Sequence, residues 1–322
     1  MYTSYTNKIA HGIMFHHFHG RKHYKGQGSL SREGFESILN FIGIDRILSP
    51  AEWLRRLDSN RLQPSDICIT FDDSLMCQFD VALPILERYK LKAFWFIYSN
   101  VFEGQINKLE VYRAFRLKNF KHVDEFYDVF LEKVFVSEFG EKAKKAISPS
   151  DLRRYQKTFP FYSPNDIKFR FIRDRVLQPS DYEYIMDGII KDRGVKIGAL
   201  TRNLWMSNEN LKYLSDKGHG IGLHSYSHPT RLAGLAYKDQ RMEYGKNYEH
   251  IESITSRPPL VAAHPVNSYD LNTFRILEKL NIRCGFRSNM FPGEITGKIN
   301  GHKYEMARED SANIIRMMEK SK

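Results

Sequence analysis

The chain of 322 residues is long enough for one large α/β domain or two smaller ones, with a substantial buried core. Its composition, 42% hydrophobic and 27% charged, is ordinary for a globular protein and excludes global disorder. A formal charge of +11 favours anionic partners, namely nucleic acid, the inner leaflet of a membrane, or a sugar carried on a phosphate.

Strand and helix patterns alternate along the first hundred residues. Apolar runs bounded by turn residues predict strands, and Ser31 and Ser49 stand where a serine caps a first helical turn. Such alternation predicts parallel β/α units. In chain order the elements are a strand over 13–18, helices from Ser31 and Ser49, a strand over 67–71, a helix over 81–89 and a strand over 93–98.

Residues 103–200 interrupt this pattern and predict a mainly helical insertion within a single domain over 1–322. Aromatic and basic residues are frequent in it, at 159–164 and 168–173. Two interpretations stay open. One is a helical excursion with its own small core, the other is a lid that stacks sugar rings on Tyr or Phe and holds phosphate with Arg, and both can hold together.

The alternation resumes after the insertion. A glycine-flanked apolar run over 220–223 predicts a strand that leads to His224. The elements that follow are a long polar helix over 237–254, a strand over 260–263, a helix over 271–280, a strand over 284–287 and a helix from Ser311.

Two polar motifs follow apolar strands. Asp72 and Asp73 directly follow the strand over 67–71, and His224 and His228 follow a glycine-flanked strand. Functional groups gather where the strands of α/β folds end and loops begin. Two imidazoles and one carboxylate suit a divalent ion such as zinc, and three protein ligands leave one position open for water or substrate.

The histidine spacing alone is weak support for a metal site. His19 and His23 form a second pair with the same spacing, in a basic stretch that looks like a loop. The simpler interpretation of the main motif is a solvated aspartate pair and a structural histidine pair.

At these residues the chain resembles the NodB-type polysaccharide deacetylases, also called carbohydrate esterase family 4. The resemblance implies that Asp72 is the catalytic base and that Asp73, His224 and His228 hold the metal, with zinc as the first expectation. It covers about the first hundred residues and the stretch from 200 to 290. It also implies the family's distorted (β/α) barrel, with the helical insertion outside it.

Two further segments resemble the branch of this family that serves surface polysaccharides. Residues 14–17 look like its first-strand Tyr-His segment, and residues 263–270 stand where that branch has Tyr-Pro-Tyr-Gly. The sequence departs there, because His264 replaces the first tyrosine and Val266 the second, and no arginine stands just before Pro265. The resemblance implies that the backbone amide of Val266 helps to bind the developing oxyanion.

The resemblance implies an arginine that orients the base, and none stands at the position where peptidoglycan-type members have it. Residues 306–310 resemble an arginine-bearing variant in which Arg308 would orient Asp72. The alternative is a surface charge cluster before a helix capped by Ser311. The family's histidine general acid is not legible near the C-terminus. The candidates for the acid are His16 and His264 first, and His302 after them.

The chemistry expected of these residues is amide hydrolysis. A metal lowers the pKa of water and polarises the acetamido carbonyl, and a nearby carboxylate takes the proton of the water. The expected function is removal of an N-acetyl group from a sugar of a surface polysaccharide or its precursor. The alternatives are a deformylase of a lipid-linked amino sugar and a glycan-binding pseudoenzyme. Nucleic-acid binding is a distant third, because no recognised nucleic-acid module accompanies the charge.

Cysteine usage and the N-terminus bear on the compartment. Cys68, Cys77 and Cys284 are odd in number and widely spaced, which argues against a disulfide framework and for a reducing compartment. The first residues carry no apolar signal core, so a cytoplasmic protein is expected. Its substrate would then be nucleotide- or lipid-linked, with peripheral contact to an anionic membrane surface as a further expectation.

Overall fold

The computed structural model describes residues 8–150, 152–153 and 163–320. The chain forms two compact units, one from Met1–Gln105 and Trp205–Lys322 and the other from Ile106–Leu204. Residues 159–162 of the predicted aromatic run lie outside the described residues. The single domain with an insertion over 103–200 stays a prediction.

The first unit is built on a seven-stranded parallel sheet, counted over the described residues. Its order is β6-β5-β4-β3-β2-β1-β7. Since all neighbours are parallel, the carboxyl ends of the strands meet at one end of the sheet. The strands are β1 (His11–Phe15), β2 (Ile67–Phe71), β3 (Phe94–Ile97), β4 (Gly220–Leu223), β5 (Val261–Ala263), β6 (Cys284–Phe286) and β7 (Arg308–Asp310).

The two edges of this sheet meet. The segment just before β7 runs beside β6, where the amide of Gly285 donates to the carbonyl of Lys303 and the amide of Met306 donates to the carbonyl of Gly285, both at 2.9 Å. A parallel bridge joins Phe286 to Met306. Strand edges are thereby paired, and the predicted (β/α) barrel is confirmed.

Alternate strand residues form two separate clusters, as the period of two requires. One cluster fills the inside of the barrel and includes Phe94, Phe96 and Phe286, closed off by Trp53. Gly222 of β4 makes room for it, because a Cβ at this glycine would lie 2.7 Å from the ring of Phe96. The other cluster, with Phe15, Phe71 and Trp95, packs against the surrounding helices.

Serines and prolines begin several of the helices as the sequence predicts. Ser31 Oγ accepts from the amide of Gly34, and Ser49 Oγ accepts from that of Glu52. In chain order the helices are α1 (Arg32–Ile42), α2 (Pro50–Asp58), α3 (Leu83–Arg88), α4 (Lys108–Asn119), α5 (Val123–Val136), α6 (Gly140–Ala146), α7 (Pro164–Phe171), α8 (Pro179–Asp192), α9 (Ile197–Thr201), α10 (Asn208–Asp216), α11 (Tyr237–Thr255), α12 (Leu271–Lys279) and α13 (Ser311–Lys320), of which α4 to α9 belong to the second unit.

Several predicted elements differ from the structure. The first strand runs from His11 to Phe15 rather than over 13–18, and a π-helix, Gln78–Ala82, precedes α3. Residues 306–310, for which a surface charge cluster was one of the two alternatives, contain β7, and Arg308 has no exposed surface. The helix after it is capped by Asp310 rather than Ser311, since Asp310 Oδ1 accepts from the amide of Ala312 at 2.7 Å.

The second unit has an aromatic core of its own. Phe169 of α7 is fully buried, and its ring centroid lies 4.8 Å from that of Phe130 and 5.2 Å from that of Tyr127. Arg116 lies over the same ring at 5.4 Å. Phe169 is therefore a core residue of a helical unit, as in the simpler of the two interpretations of this segment.

The three cysteines are buried and unbridged, in keeping with the expected absence of a disulfide framework. Cys68 and Cys284 belong to the inner cluster of the barrel. Among the described residues, no helix combines the length and apolar character needed to cross a bilayer.

Candidate metal centre

The two aspartates at the end of β2 diverge because the backbone turns between them. Asp72 continues the strand, and its amide donates to the carbonyl of Phe15 at 3.1 Å. Asp73 and Ser74 adopt left-handed conformations, with φ of 77° and 59°. Such strain in non-glycine residues is typical of functional sites. The turn sends the two carboxylates to different neighbours.

Asp72 meets the arginine of β7. Arg308 Nη1 and Nη2 donate to Asp72 Oδ1 and Oδ2 at 2.6 and 2.7 Å, while Arg308 Nε donates to the carbonyl of Arg287 at 2.6 Å. Gly12 of β1 makes room for this side chain, because a Cβ there would lie 3.0 Å from Arg308 Cγ. Arg308 thus contacts Asp72, the residue that it would orient according to the family resemblance.

Asp73 meets the two histidines. His224 Nε2 lies 3.5 Å and His228 Nε2 lies 3.4 Å from Asp73 Oδ1. One ligand atom from each of the three residues fits within a span of 4.8 Å. Tetrahedral ligands about 2.1 Å from an ion lie about 3.4 Å apart, so the two distances from Asp73 to the imidazoles suit a bound cation.

Other polar contacts also fit a metal at this point. Asp73 Oδ1 is buried and has no hydrogen-bond partner among the described residues. His224 Nδ1 lies 2.9 Å from the carbonyl of Ala263 and donates its proton there, so the lone pair of Nε2 faces Asp73. Metal-binding histidines are commonly held in this way. The residues present therefore fit a divalent ion.

Burial and charge oppose one another at the two carboxylates. Burial alone would raise the pKa of Asp72, but the Arg308 guanidinium outweighs it and holds the pKa below its usual range. Burial would likewise raise the pKa of Asp73, but His224 and His228 hold it far below its usual range. Both carboxylates are therefore ionised near neutral pH.

The two imidazoles shift in opposite directions. For His224, burial favours the neutral ring, but the carboxylates of Asp72 and Asp73 outweigh it and raise its pKa. For His228, burial is the largest effect, and its pKa is lowered. A bound cation requires both rings to be neutral, so metal binding would displace any proton on them.

Two residues of the predicted polar helix α11, whose role sequence reasoning missed, hold the histidine loop in place. Glu243 of α11 is buried, and its carboxylate accepts from the amides of Tyr226 and Ser227 at 3.0 and 2.8 Å. One turn later, Asn247 Oδ1 accepts from the amide of His224 at 2.9 Å. The only sequence signal is two polar residues at helical spacing in a helix predicted as polar throughout.

His16 lies at the entrance of the centre. Its Nε2 is 3.8 Å from Asp72 Oδ2 and 3.9 Å from Asp73 Oδ2, and about a third of its side chain is exposed, at 33%. The side-chain Nε2 of Gln78 donates to the carbonyls of both His16 and Asp72, at 2.8 and 2.5 Å. His16 thus combines closeness to the aspartates with access to solvent.

The other two histidine candidates have structural contacts. His264 is buried, its Nε2 donates to the carbonyl of Tyr304 at 2.7 Å, and burial lowers its pKa to about 4. His302 stacks on Phe274 with 4.6 Å between ring centroids, and its Nδ1 accepts from the amide of Tyr304. Neither is part of the three-ligand cluster.

Val266 occupies a strained turn after β5. It has φ of 50° and ψ of 28°, which is unusual for a β-branched residue, and 60% of it is exposed. The next residue, Asn267, is also left-handed and accepts through Oδ1 from the amide of Ser288 at 3.0 Å. Since the turn follows a strand end, it lies at the same end of the barrel as the aspartates.

The family model described as polysaccharide deacetylase matches residues 187–285, which include His224 and His228. No curated protein sequence matches the chain significantly. The matched segment starts in α8 and ends in β6, and so leaves out both aspartates and Arg308.

Several solved structures share the fold. Streptococcus pyogenes deacetylase PplD, solved in complex with acetate, is 16% identical, with 97% of this chain and 98% of that one covered and a TM-score of 0.55. IcaB from Ammonifex degensii is 12% identical, with coverage of 94% and 91% and a TM-score of 0.52. The deacetylase domain of BpsB from Bordetella bronchiseptica is 10% identical, with coverage of 94% and 96% and a TM-score of 0.51.

The fold is thus a (β/α) barrel of the deacetylase type, as the sequence predicted. The chain is similar to the polysaccharide deacetylase family over residues 187–285 and shares the fold of deacetylases of known structure. The family supports N-deacetylation as the class of activity, which is hydrolysis of an amide bond on an acetylated sugar.

Proposed function

We propose that the chain is a metal-dependent N-deacetylase for a sugar of a surface polysaccharide or its precursor. The observation that carries the proposal is the convergence of Asp73, His224 and His228 beside a separate carboxylate, Asp72, that Arg308 holds. The similarity to IcaB and BpsB is consistent with the surface-polysaccharide branch. A cytoplasmic location stays a prediction.

Asp73, His224 and His228 would hold the metal, for which we propose zinc. A bound divalent ion supplies Lewis acidity, which lowers the pKa of water and polarises an acyl carbonyl. The carbonyl of Ala263 orients His224 for this task, and Glu243 orders the loop between the two histidines.

Asp72 would accept the proton of the attacking water. Its carboxylate is ionised near neutral pH, and the two hydrogen bonds from Arg308 fix its plane. A general base needs both the right protonation state and the right position. Arg308 also lowers the basicity of Asp72, and the cation that Asp73, His224 and His228 would hold would compensate by acidifying the attacking water.

His16 would give a proton to the leaving amine. Of the three histidine candidates it is the one with contacts to both aspartates and with an exposed side chain. His264 commits its Nε2 proton to the carbonyl of Tyr304. We therefore propose a structural role for His264.

The turn at Val266 would bind the oxyanion of the tetrahedral intermediate. A backbone amide placed before the reaction stabilises developing charge without reorganisation. The left-handed backbone at Val266 and Asn267 fixes the direction of the amides in this turn. The side chain of Val266 has no part in that role.

The proposal is tested by acetate and formate release from nucleotide sugars, lipid-linked saccharides and N-acetylated polysaccharides. Metal content is measured on the same preparations, and the Asp72→Asn variant is the control. Acetate release that requires both metal and Asp72 supports the proposal. Formate alone would indicate a deformylase, and bound metal without release of either product would indicate a glycan-binding pseudoenzyme.

A further inference from the structure

A basic cavity outside the metal centre lies in the loop that follows β1. It has a volume of about 500 Å³, which is ample for a phosphate or diphosphate group. Its lining includes the exposed cations Arg21, Lys22 and Arg32. His19, His23 and Asp80 also line this cavity, which we call the basic pocket.

The walls of the basic pocket are held by hydrogen bonds. His23 Nε2 lies 2.9 Å from Asp80 Oδ2, and Arg32 Nη2 donates to the carbonyl of Asp80 at 3.2 Å. The amide of Gly20 donates to the carbonyl of His23 at 3.0 Å. His19 Nδ1 lies 2.9 Å from the hydroxyl of Ser29. The two histidines of the second i, i+4 pair are thus occupied in the pocket wall rather than in a metal site.

The charge of the basic pocket is unbalanced. Its lining contains three cations but only two carboxylates, those of Glu33 and Asp80, and Asp80 Oδ2 already forms a hydrogen bond with His23. In the described part of the chain, no carboxylate forms an ion pair with Arg21 or Lys22. Exposed cations grouped on one wall of a cavity favour an anionic ligand.

The basic pocket adjoins the metal centre. His16, which contacts Asp72, is three positions before His19, so at most about 11 Å of chain separates them. The side-chain Nε2 of Gln78 donates to the carbonyl of His16, and Asp80 follows Gln78 by two positions in the same π-helix. Both sites therefore lie at the end of the barrel where the strands finish.

We propose that the basic pocket binds a phosphate group carried by the substrate, so that the enzyme acts on a sugar phosphate or diphosphate. This proposal rests on the proposed deacetylase function. In a 2-acetamido sugar, a phosphate on the anomeric oxygen is only a few bonds from the acyl carbon. In the proposed binding mode the acetamido group lies at the metal centre and the phosphate points towards Arg21, Lys22 and Arg32.

The first experiment compares substrates with and without phosphate. The probes are UDP-N-acetylglucosamine, a polyprenyl-diphosphate N-acetylglucosamine and methyl N-acetylglucosaminide, which distinguish a nucleotide carrier from a lipid carrier. The variant carries Arg21→Gln, Lys22→Gln and Arg32→Gln. The ratio of kcat/KM for the phosphorylated to the unphosphorylated sugar should fall by about tenfold or more, because charge-assisted contacts to phosphate are lost.

A matched control removes the same number of exposed cations from the opposite end of the barrel. It carries Arg61→Gln, Lys90→Gln and Arg257→Gln, at positions in the loops that precede β2, β3 and β5. This control should keep the wild-type ratio. An equal ratio in all three proteins would overturn the proposal, as would a wild-type enzyme with no preference for the phosphorylated sugars.

A binding measurement separates this proposal from the proposed function. Calorimetric titration with inorganic diphosphate should show binding to the wild type and the control, and at least about tenfold weaker binding to the pocket variant. That result supports phosphate binding by the basic pocket even if no acetate is released. In that case only the proposed deacetylase function is contradicted. Absence of diphosphate binding by the wild type, or equal binding by all three proteins, would overturn the proposal that the basic pocket binds phosphate.

Discussion

Arg308 donates two hydrogen bonds to the carboxylate of Asp72, although 236 positions separate the two residues along the chain. Both side chains are buried, and Arg308 belongs to β7, the last strand of the barrel. Removing one partner of a buried ion pair leaves an uncompensated charge. The integrity of the barrel and the position of the proposed base are therefore linked through this pair.

The first prediction concerns the stability of this pair. Arg308→Met should lower the free energy of unfolding by roughly 3–5 kcal/mol, because Asp72 is left buried without its partner. The double variant Asp72→Asn, Arg308→Met should lose less than the sum of the two single variants. Urea unfolding measures all three, and strictly additive losses would contradict the coupling.

The second prediction separates the two aspartates. Asp73→Asn should weaken or abolish metal binding, because it removes a ligand charge, whereas Asp72→Asn should keep the metal and lose turnover. Metal analysis and acetate release on each purified variant provide the comparison. Equal loss of metal in both variants would mean that the roles are wrongly assigned.

The third prediction concerns Glu243. Glu243→Gln keeps the size of the side chain but replaces a charged acceptor of two amides by a neutral one. Metal affinity should fall by about 10- to 100-fold, as is typical when groups that support metal ligands are changed. Glu249→Gln, on an exposed position of α11, is the matched control and should bind metal as the wild type does. Competition with a chelator measures both, and equal affinities would argue that Glu243 has no part in ordering the loop.

The fourth prediction concerns acid stability. Burial lowers the pKa of His219 from 6.5 to about 3, and its Nδ1 accepts from the amide of Ala93. The unfolded chain takes up this proton below its ordinary pKa while the folded chain does not. The contribution of His219 is therefore complete above pH 6.5 and is lost as the pH falls towards the folded value.

The loss from this residue between neutrality and about pH 5 should be roughly 2 kcal/mol, since one pKa unit corresponds to about 1.4 kcal/mol. A His219→Asn variant should lose correspondingly less of its free energy of unfolding over that range. Parallel curves for wild type and variant would exclude a contribution from His219.

The fifth prediction concerns the strain at Val266. Glycine adopts φ of 50° without cost, so Val266→Gly should raise the free energy of unfolding by about 1 kcal/mol. Val266→Ala retains a Cβ and should gain less. Turnover should persist in both variants, since the proposed role belongs to the backbone amide. Loss of turnover with folding intact would show that the side chain itself matters.

Much of the site could be predicted because its residues form short local motifs. Asp72 and Asp73 end an apolar strand, and His224 and His228 are four positions apart after another. In a parallel barrel all strand ends meet at one end, so local sequence was sufficient to expect that these groups converge. The structure places them within contact distance.

The supporting residues could not be predicted with equal certainty, because their roles depend on partners far away in sequence. The stretch around Arg308 suited an orienting arginine and a surface charge cluster equally well, and only the closed barrel shows that its charge meets Asp72. Glu243 and Asn247 looked like ordinary polar residues of a long helix until their contacts with the histidine loop were known.

By itself, the sequence determined the alternation of strands and helices and the four side chains of the centre, because periodicity and motif spacing are local properties of the chain. The tertiary structure decided which charges are buried, which of the candidate histidines lies beside the two aspartates, and where the basic pocket lies. These depend on contacts between residues such as His264 and Tyr304, or His23 and Asp80, that only folding brings together.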